Sequence, residues 1–414
     1  MNQPTAPTEA SAAVLAVNGG AQSRTRPFAP WPVFEADERR AADAVLASGR
    51  VNYWTGEECR LFEEEFARRT GCSYAISLAN GTLALELALR ALGIGPGDEV
   101  IAPAKTFIAT ASCAVAVGAR PVVCDVDPES QNLTADTVRA AITPHTRAVI
   151  AVHLAGWPCN LDSLAALCSE RGVALVEDCA QAHGATWAGR PVGSVGAISA
   201  FSFCQDKIMT TGGEGGMLVT NDRALWERAW AYKDHGKSWA AVHERVHPPG
   251  FRWQHESFGS NFRMTEMQAA IGRVQLRKLD GWVAARRRNA AALSDGLAGV
   301  PGIRVPQPAP GAFHSYYKLY AQVVARELRP DWVALRVIEA VRREGIPCYQ
   351  GGCSEIYREH AFVVAGLTPT RRLPIAGHLS DASLMFLVHP TLDETDMRDA
   401  ALAVAKVMRV AAKG

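Results

Sequence analysis

Excess charge is the first thing this 414-residue chain lacks: 43 Lys and Arg stand against 42 Asp and Glu, a formal balance of +1 at pH 7. Such a balance gives no footing for the long-range attraction that nucleic acid or an anionic membrane exerts, so neither is an expected partner. Long apolar runs are missing too. No segment approaches the roughly 20 uninterrupted apolar residues of a spanning helix. The apolar stretch Ala12–Val17 is too short for a secretory core and has no basic leader, so a cytoplasmic protein is expected. Ten cysteines are present, but none lies in a Cys-x-x-Cys pair, and the closest two are Cys348 and Cys353. Structural zinc sites usually pair their ligands at short spacing, so no metal is expected. Cys113, Cys124 and Cys179 sit in apolar runs and read as small hydrophobes.

What the chain does have is alternation. Residues 1–28 are Ala-, Ser-, Thr-, Pro- and Gln-rich without periodicity and read as a mobile tail. Helical patterning runs from Glu35 to a glycine stop at Gly49, and again from Glu57 to Gly71. Short apolar, strand-like runs then alternate with helical stretches: 74–78, 99–102, 121–125, 147–153, 173–178 and 197–203. Near-continuous apolar runs separated by helices predict an α/β fold with a mostly parallel central sheet covered on both faces. Gly216–Thr220 is expected to return as an antiparallel neighbour. Residues 237–262 are polar and aromatic and read as a long loop, followed by one amphipathic helix from Thr265 to about Leu297. Beyond residue 300, strands at 316–324 and 384–388 with helices at 330–344 and from 392 predict a smaller α+β lobe. The expected division is a large domain over 29–283 and a small C-terminal domain over 284–414.

Sheets of this kind bind ligands at the carboxyl ends of their strands. Those ends carry Asn80-Gly81-Thr82, Thr106-Phe107, His153, Asp178 with Gln181 and His183, and Ser202 through Lys207. Lys207 lies between an apolar run and Gly212-Gly-Glu-Gly-Gly216. On its own it is equally a surface lysine at a strand-to-turn connection. Burial would free its amine to act as a nucleophile toward a carbonyl cofactor. If that cofactor is pyridoxal phosphate, every neighbour has a task. Gly81 and Thr82 open a helix whose N–H groups suit a phosphate, and Ser202 adds a hydroxyl. Asp178 would keep the ring nitrogen protonated, Phe107 would cover the ring face and Gln181 would meet the ring hydroxyl. Taken singly, Asp178 is as well explained as a helix cap and Phe107 as core; the set in this order is not. Arg50-Val-Asn-Tyr-Trp-Thr-Gly56 reads equally as loop packing or as a substrate wall built on Tyr53 and Trp54.

Four segments carry a specific resemblance. Asn80–Leu85, Val176–Ala185, Phe201–Gly216 with its lysine, and Gly259–Met264 followed by Gln268–Gly272 are similar, in this order, to the DegT/StrS family. The similarity extends from about Pro30 to the C-terminus. It implies a pyridoxal-phosphate-dependent sugar aminotransferase of fold type I, cycling through pyridoxamine phosphate. By this resemblance Lys207 is the Schiff-base lysine, Asp178 pairs with the ring nitrogen, Gln181 contacts the ring hydroxyl, and Thr82 and Ser202 hold the phosphate. Asn261 is expected to reach the phosphate in the other subunit, which implies a homodimer with shared sites. The implied reaction moves an amino group from an amino acid, L-glutamate by expectation, to a keto-sugar carried on a nucleotide. The alternatives are a cyclic non-sugar ketone as acceptor, of the aminocyclitol or aminobenzoate type, and a non-catalytic regulatory member of the same fold, against which the presence of Lys207, Asp178 and Gln181 together argues. Tyr53, Trp54, Tyr316 and Lys318 are candidate substrate contacts. Lys318 departs from the family pattern, which often has histidine there. Glu214 receives no role beyond hydrogen bonding within its loop.

Overall fold

In the computed structural model, which describes residues 14–413, the apolar runs between 74 and 220 assemble into one seven-stranded sheet. Its members are β1 (Tyr74–Leu78), β2 (Glu99–Pro103), β3 (Arg120–Cys124), β4 (Thr146–Val152) and β5 (Ala174–Asp178). The short β6 (Thr186–Trp187) and β7 (Arg190–Pro191) lie apart, and β8 (Ile198–Ser202) and β9 (Gly216–Thr220) complete the sheet. The spatial order is β1-β9-β8-β5-β4-β2-β3. Strands β3, β2, β4, β5 and β8 run parallel, and β9 is antiparallel to both β8 and β1.

The continuous apolar runs follow from burial on two sides. Ala148 and Ile150 pack with Leu85, Ala88 and Leu89 of the helix Gly81–Ala91, whereas Val149 and Ala151 pack with Leu161, Leu164 and Leu167 of the helix Leu161–Arg171. A strand's period of two sends alternate residues to opposite layers, so both sets must be apolar.

The smaller lobe is an antiparallel sheet, ordered β10-β12-β14-β13, of β10 (Ile303–Arg304), β12 (Leu319–Val323), β13 (Cys348–Tyr349) and β14 (Ser383–Phe386). Strand β11 (Ala312–Phe313) instead joins β6, tying the start of this lobe to the larger one. The helix Glu266–Leu297 starts at a capping box in which Thr265 and Gln268 satisfy each other's backbone N–H. It serves both cores: Leu279 and Val283 pack with the large lobe, and Ala290, Leu293 and Leu297 with the small one. The division at 283/284 therefore falls inside one unbroken helix.

The N-terminal segment departs from the expectation of a mobile tail. Residues 1–13 lie outside the described residues, but 14–28 are strapped onto the small lobe. Leu15 is buried there, the backbone N–H of Ala16 donates to Glu344 at 2.8 Å, and Ser23 donates to the same carboxylate at 2.9 Å. Arg24 is buried and paired with Asp396 and Asp399, both at 2.6 Å. A polar composition without periodicity hides such a segment, because ion pairs and backbone hydrogen bonds hold it instead of an apolar stripe. The long loop is interrupted only by the short helix Trp239–His243, and it leaves Val246, Phe251, Trp253 and Phe258 exposed. Among the described residues no helix is long and apolar enough to cross a membrane.

Candidate active site

The parallel strands deliver their carboxyl ends to one side of the sheet, and the site is assembled there. Asp178 ends β5. Its Oδ2 accepts from the Thr110 hydroxyl at 2.8 Å and its Oδ1 from the backbone N–H of Ala180 at 3.1 Å. Thr106 lies 2.8 Å from Thr110, so the hydroxyls form a chain leading to the carboxylate. Burial raises the pKa of Asp178, against the lowering effect of the Thr110 bond. No cation of the described chain lies within 4 Å of it, although Lys207 exerts a longer-range pull. A buried carboxylate that is charge-unbalanced in this way fits a cationic partner supplied from outside the chain.

Lys207 follows β8. Its Nζ makes no hydrogen bond among the described residues; Asp206 lies 3.8 Å away and the Tyr317 ring centroid 5.2 Å away. Tyr317 donates its hydroxyl to Asp206, and Trp31 donates its indole N–H to the Lys207 carbonyl at 2.9 Å. The lysine's backbone is fixed while its amine is left free.

The opening turn of the helix Gly81–Ala91 faces β8 at close range. Asn80 caps the helix by accepting from Leu83 N–H at 3.0 Å, and the N–H groups of Gly81 and Thr82 have no acceptor among the described residues. A Cβ on Gly81 would meet Ser202 Cβ at 2.5 Å, so glycine is what allows this turn to approach the strand. Ser202 is thereby held beside the free N–H groups, an arrangement suited to a phosphate. Gln181 is oriented by its own carbonyl, which accepts from Ala155 N–H at 2.8 Å, leaving the NH2 end as the free donor. Phe107 is 66% exposed, unlike the core residue its alternative reading required. The residues present fit pyridoxal phosphate: a free amine, a buried acid without a cation, an open aromatic and an unfilled helix N-terminus.

Other candidates are placed differently. Tyr53 is buried, donates to Glu63 at 3.3 Å, accepts from the Trp230 indole at 3.4 Å and lies 3.6 Å beneath the Lys233 ammonium. Of the two readings of its loop, packing is the one its surroundings match. Trp54 is half-exposed, with Lys237 over its ring at 4.2 Å. Tyr316 has a left-handed backbone (φ 50°) and stacks on His314 at 3.8 Å, lining a cleft with Gln131, Ala155 and Trp157. Lys318 is partly buried 4.7 Å from the Tyr317 ring. Asn261 is exposed and its backbone bridges to Asp234. His153 and His183 both turn into the core; His183 packs between Phe201 and Phe203, and burial pushes its pKa down to about 3. The Glu214 carbonyl accepts from Thr211 and from Gln268, and its carboxylate lies 3.8 Å from the Cys204 thiol.

Sequence reasoning missed Thr110, Trp31, Asp206 and Tyr317. Only Thr110 carried a usable signal, since it lies in the stretch after β2 four residues beyond Thr106, at the start of the helix Ala109–Ala116.

Comparison with known proteins identifies the family. Residues 32–405 match the DegT/DnrJ/EryC1/StrS aminotransferase family. The chain is 38% identical over 420 residues to the L-glutamine:2-deoxy-scyllo-inosose aminotransferase of Streptoalloteichus tenebrarius, covering 95% of this chain and 97% of that protein. It is also 38% identical over 323 residues to the dTDP-3-amino-3,4,6-trideoxy-alpha-D-glucose transaminase of Streptomyces venezuelae, covering 78% and 81%. An X-ray structure of an aminotransferase from Psychrobacter cryohalolentis superimposes with a TM-score of 0.90 at 51% identity, covering 91% of this chain and 98% of that one. The free lysine, the buried acid and the unfilled helix turn thus stand on a known scaffold, and the chain belongs to the DegT/DnrJ/EryC1/StrS family of pyridoxal-phosphate-dependent aminotransferases.

Proposed function

We propose that this aminotransferase moves an amino group from L-glutamate to the keto group of a nucleotide-linked sugar, within a homodimer whose sites are shared. The observation that carries the reaction is the pairing of an unbonded Lys207 amine with the cation-free, buried Asp178. When bound, pyridoxal phosphate supplies an aldehyde that takes up the amino group and a ring that withdraws electrons. Lys207 would hold it covalently and, once displaced by the donor, move a proton at its own Nζ between neighbouring carbons. Asp178, positioned by Thr110 and Ala180, would keep a proton on the ring nitrogen. Gln181 would donate its NH2 to the ring hydroxyl. The N–H groups of Gly81 and Thr82, with the Ser202 hydroxyl, would bind the phosphate, and Phe107 would cover the ring. Asn261 would act across the dimer, and the four exposed apolar side chains of its loop are consistent with a surface that a second copy covers.

A relative named for 2-deoxy-scyllo-inosose that spans 95% of the chain supports a second acceptor class, a cyclic non-sugar ketone. A panel of keto substrates offered with glutamate to the cofactor-loaded enzyme separates the two. Turnover of nucleotide-linked keto-sugars with none of free cyclic ketones is the expected result; the reverse pattern overturns the sugar reading.

A further inference from the structure

The wall of the Lys207 cleft formed by the smaller lobe carries more positive charge than the chain balances. Lys318 Nζ makes no hydrogen bond or ion pair among the described residues and lies 4.7 Å from the Tyr317 ring, the same ring that Lys207 Nζ approaches at 5.2 Å. Behind them Arg286 is buried. It donates Nη1 to the Tyr317 carbonyl at 3.1 Å, but its Nε and Nη2 have no partner. The acid that faces this group is Asp206, which already accepts from Tyr317 and has Lys207 at 3.8 Å. The other titratable neighbour, His389, is held neutral: burial first, then Arg286 and Lys318, push its pKa down to about 3. Three cations and one carboxylate therefore gather around Tyr317. Contact with an aromatic face returns only a small part of what an ammonium loses on leaving water. Burial, with Arg286 and Lys207 and against Asp206, lowers the pKa of Lys318 to about 8, the expected mark of an ammonium that lacks its anion.

We infer that Lys318 is a carboxylate-binding residue for the amino donor, its ammonium forming the anion subsite on the small-lobe wall of the Lys207 cleft. The inference rests on the reading of Lys207 as the cofactor's anchor. A carboxylate there would supply the missing negative charge and gain a charge-assisted hydrogen bond. It would also hold the donor's amino group on the side of the cleft where Lys207 lies.

The test uses the cofactor-loaded enzyme and its Lys318→Met, Lys318→Gln and Lys318→Arg variants. One arm measures glutarate binding by calorimetry, without turnover. A second follows the donor half-reaction spectroscopically with L-glutamate and L-alanine, and a third measures KM for the keto acceptor. Met and Gln should weaken glutarate at least tenfold and raise the glutamate KM at least tenfold, while Arg restores both to within about threefold. A rise shared by alanine assigns the α-carboxylate, and a rise confined to glutamate assigns the side-chain carboxylate. Unchanged glutarate binding and glutamate KM in both Met and Gln variants overturn the inference. So does an effect confined to the acceptor KM, which would give the subsite to an anionic group of the acceptor. Failure of the wild-type enzyme to react with any amino donor would instead sink the assignment of Lys207, so the two failures are distinct.

Discussion

The Nε2 atom of His153 lies 3.0 Å from the carboxylate of Glu177, and neither side chain reaches solvent. Although the carboxylate favours an imidazolium, the Cys159 backbone N–H donates to Nδ1 at 3.0 Å, which makes Nδ1 an acceptor and the ring neutral. Glu177 then accepts from His153 and from the backbone N–H groups of Gly193, Val195 and Gly196 at 2.6 to 2.9 Å. Burial pushes its pKa up, and the bonds from His153, Gly196 and Gly193 oppose burial. The residue before Asp178 is thus clamped from four sides. Glu177→Gln keeps the shape but replaces two accepting oxygens with one, and should cost about 3 kcal/mol in urea unfolding. A loss below about 1 kcal/mol would show that the clamp contributes little.

Asp178→Asn should leave the protein folded and able to take up pyridoxal phosphate while lowering the amino-transfer rate roughly a hundredfold or more. Thr110→Val, which removes only the hydroxyl supporting Oδ2, should have a smaller effect in the same direction. Single-turnover kinetics read both. Equal rates in wild type and Asp178→Asn would transfer the ring nitrogen to another residue. Lys207→Ala should abolish amino transfer and prevent borohydride from fixing the cofactor to the chain; labelling at another lysine would displace Lys207 from its role.

Lys105 gives a pH signature. It is buried where the lobes meet, donating to Ser354 at 2.8 Å and Ser383 at 3.2 Å, and burial lowers its pKa to about 7. In the unfolded chain a lysine titrates near 10.4, so between about pH 7 and pH 10 the unfolded state binds more protons. Stability from this group therefore rises with pH across that window. The difference in unfolding free energy between wild type and Lys105→Met should shift in favour of wild type from pH 7 to pH 10. A pH-independent difference would mean that the amine stays charged in the fold.

The N-terminal strap makes a further prediction. Arg24→Leu leaves the buried Asp396 with the exposed Arg26, 2.9 Å away, as its one cationic partner among the described residues. Breaking a buried pair on one side costs about 3 kcal/mol or more. Thermal unfolding should fall by several degrees, and proteolysis should begin within residues 14–28. An unchanged midpoint and cleavage pattern would show that the segment is held by other contacts.

What was legible in the sequence was whatever announced itself locally. Strands β1 to β5, β8 and β9 are apolar because both faces are covered, and their ends follow from Gly, Asn and Asp positions. Lys207, Asp178, Gln181 and Ser202 could be gathered because each ends or follows such a run. The two-residue strands β6, β7 and β11 have no period to read. Trp31 meets Lys207 across 176 positions and Tyr317 meets Asp206 across 111, contacts that no local pattern encodes. Tyr53 was ambiguous for the same reason: its partners Glu63, Trp230 and Lys233 lie on two separate helices.

The helix Glu266–Leu297 has 32 residues, hence a length of about 48 Å at 1.5 Å per residue. Because its two halves are built into different cores, any rocking of one lobe against the other must bend this rod, and helices bend gently unless proline or a bulge breaks them. None of its residues is proline. The two lobes are therefore coupled through a continuous rod, and a ligand's gain in affinity need not be offset by a large hinge closure along this axis.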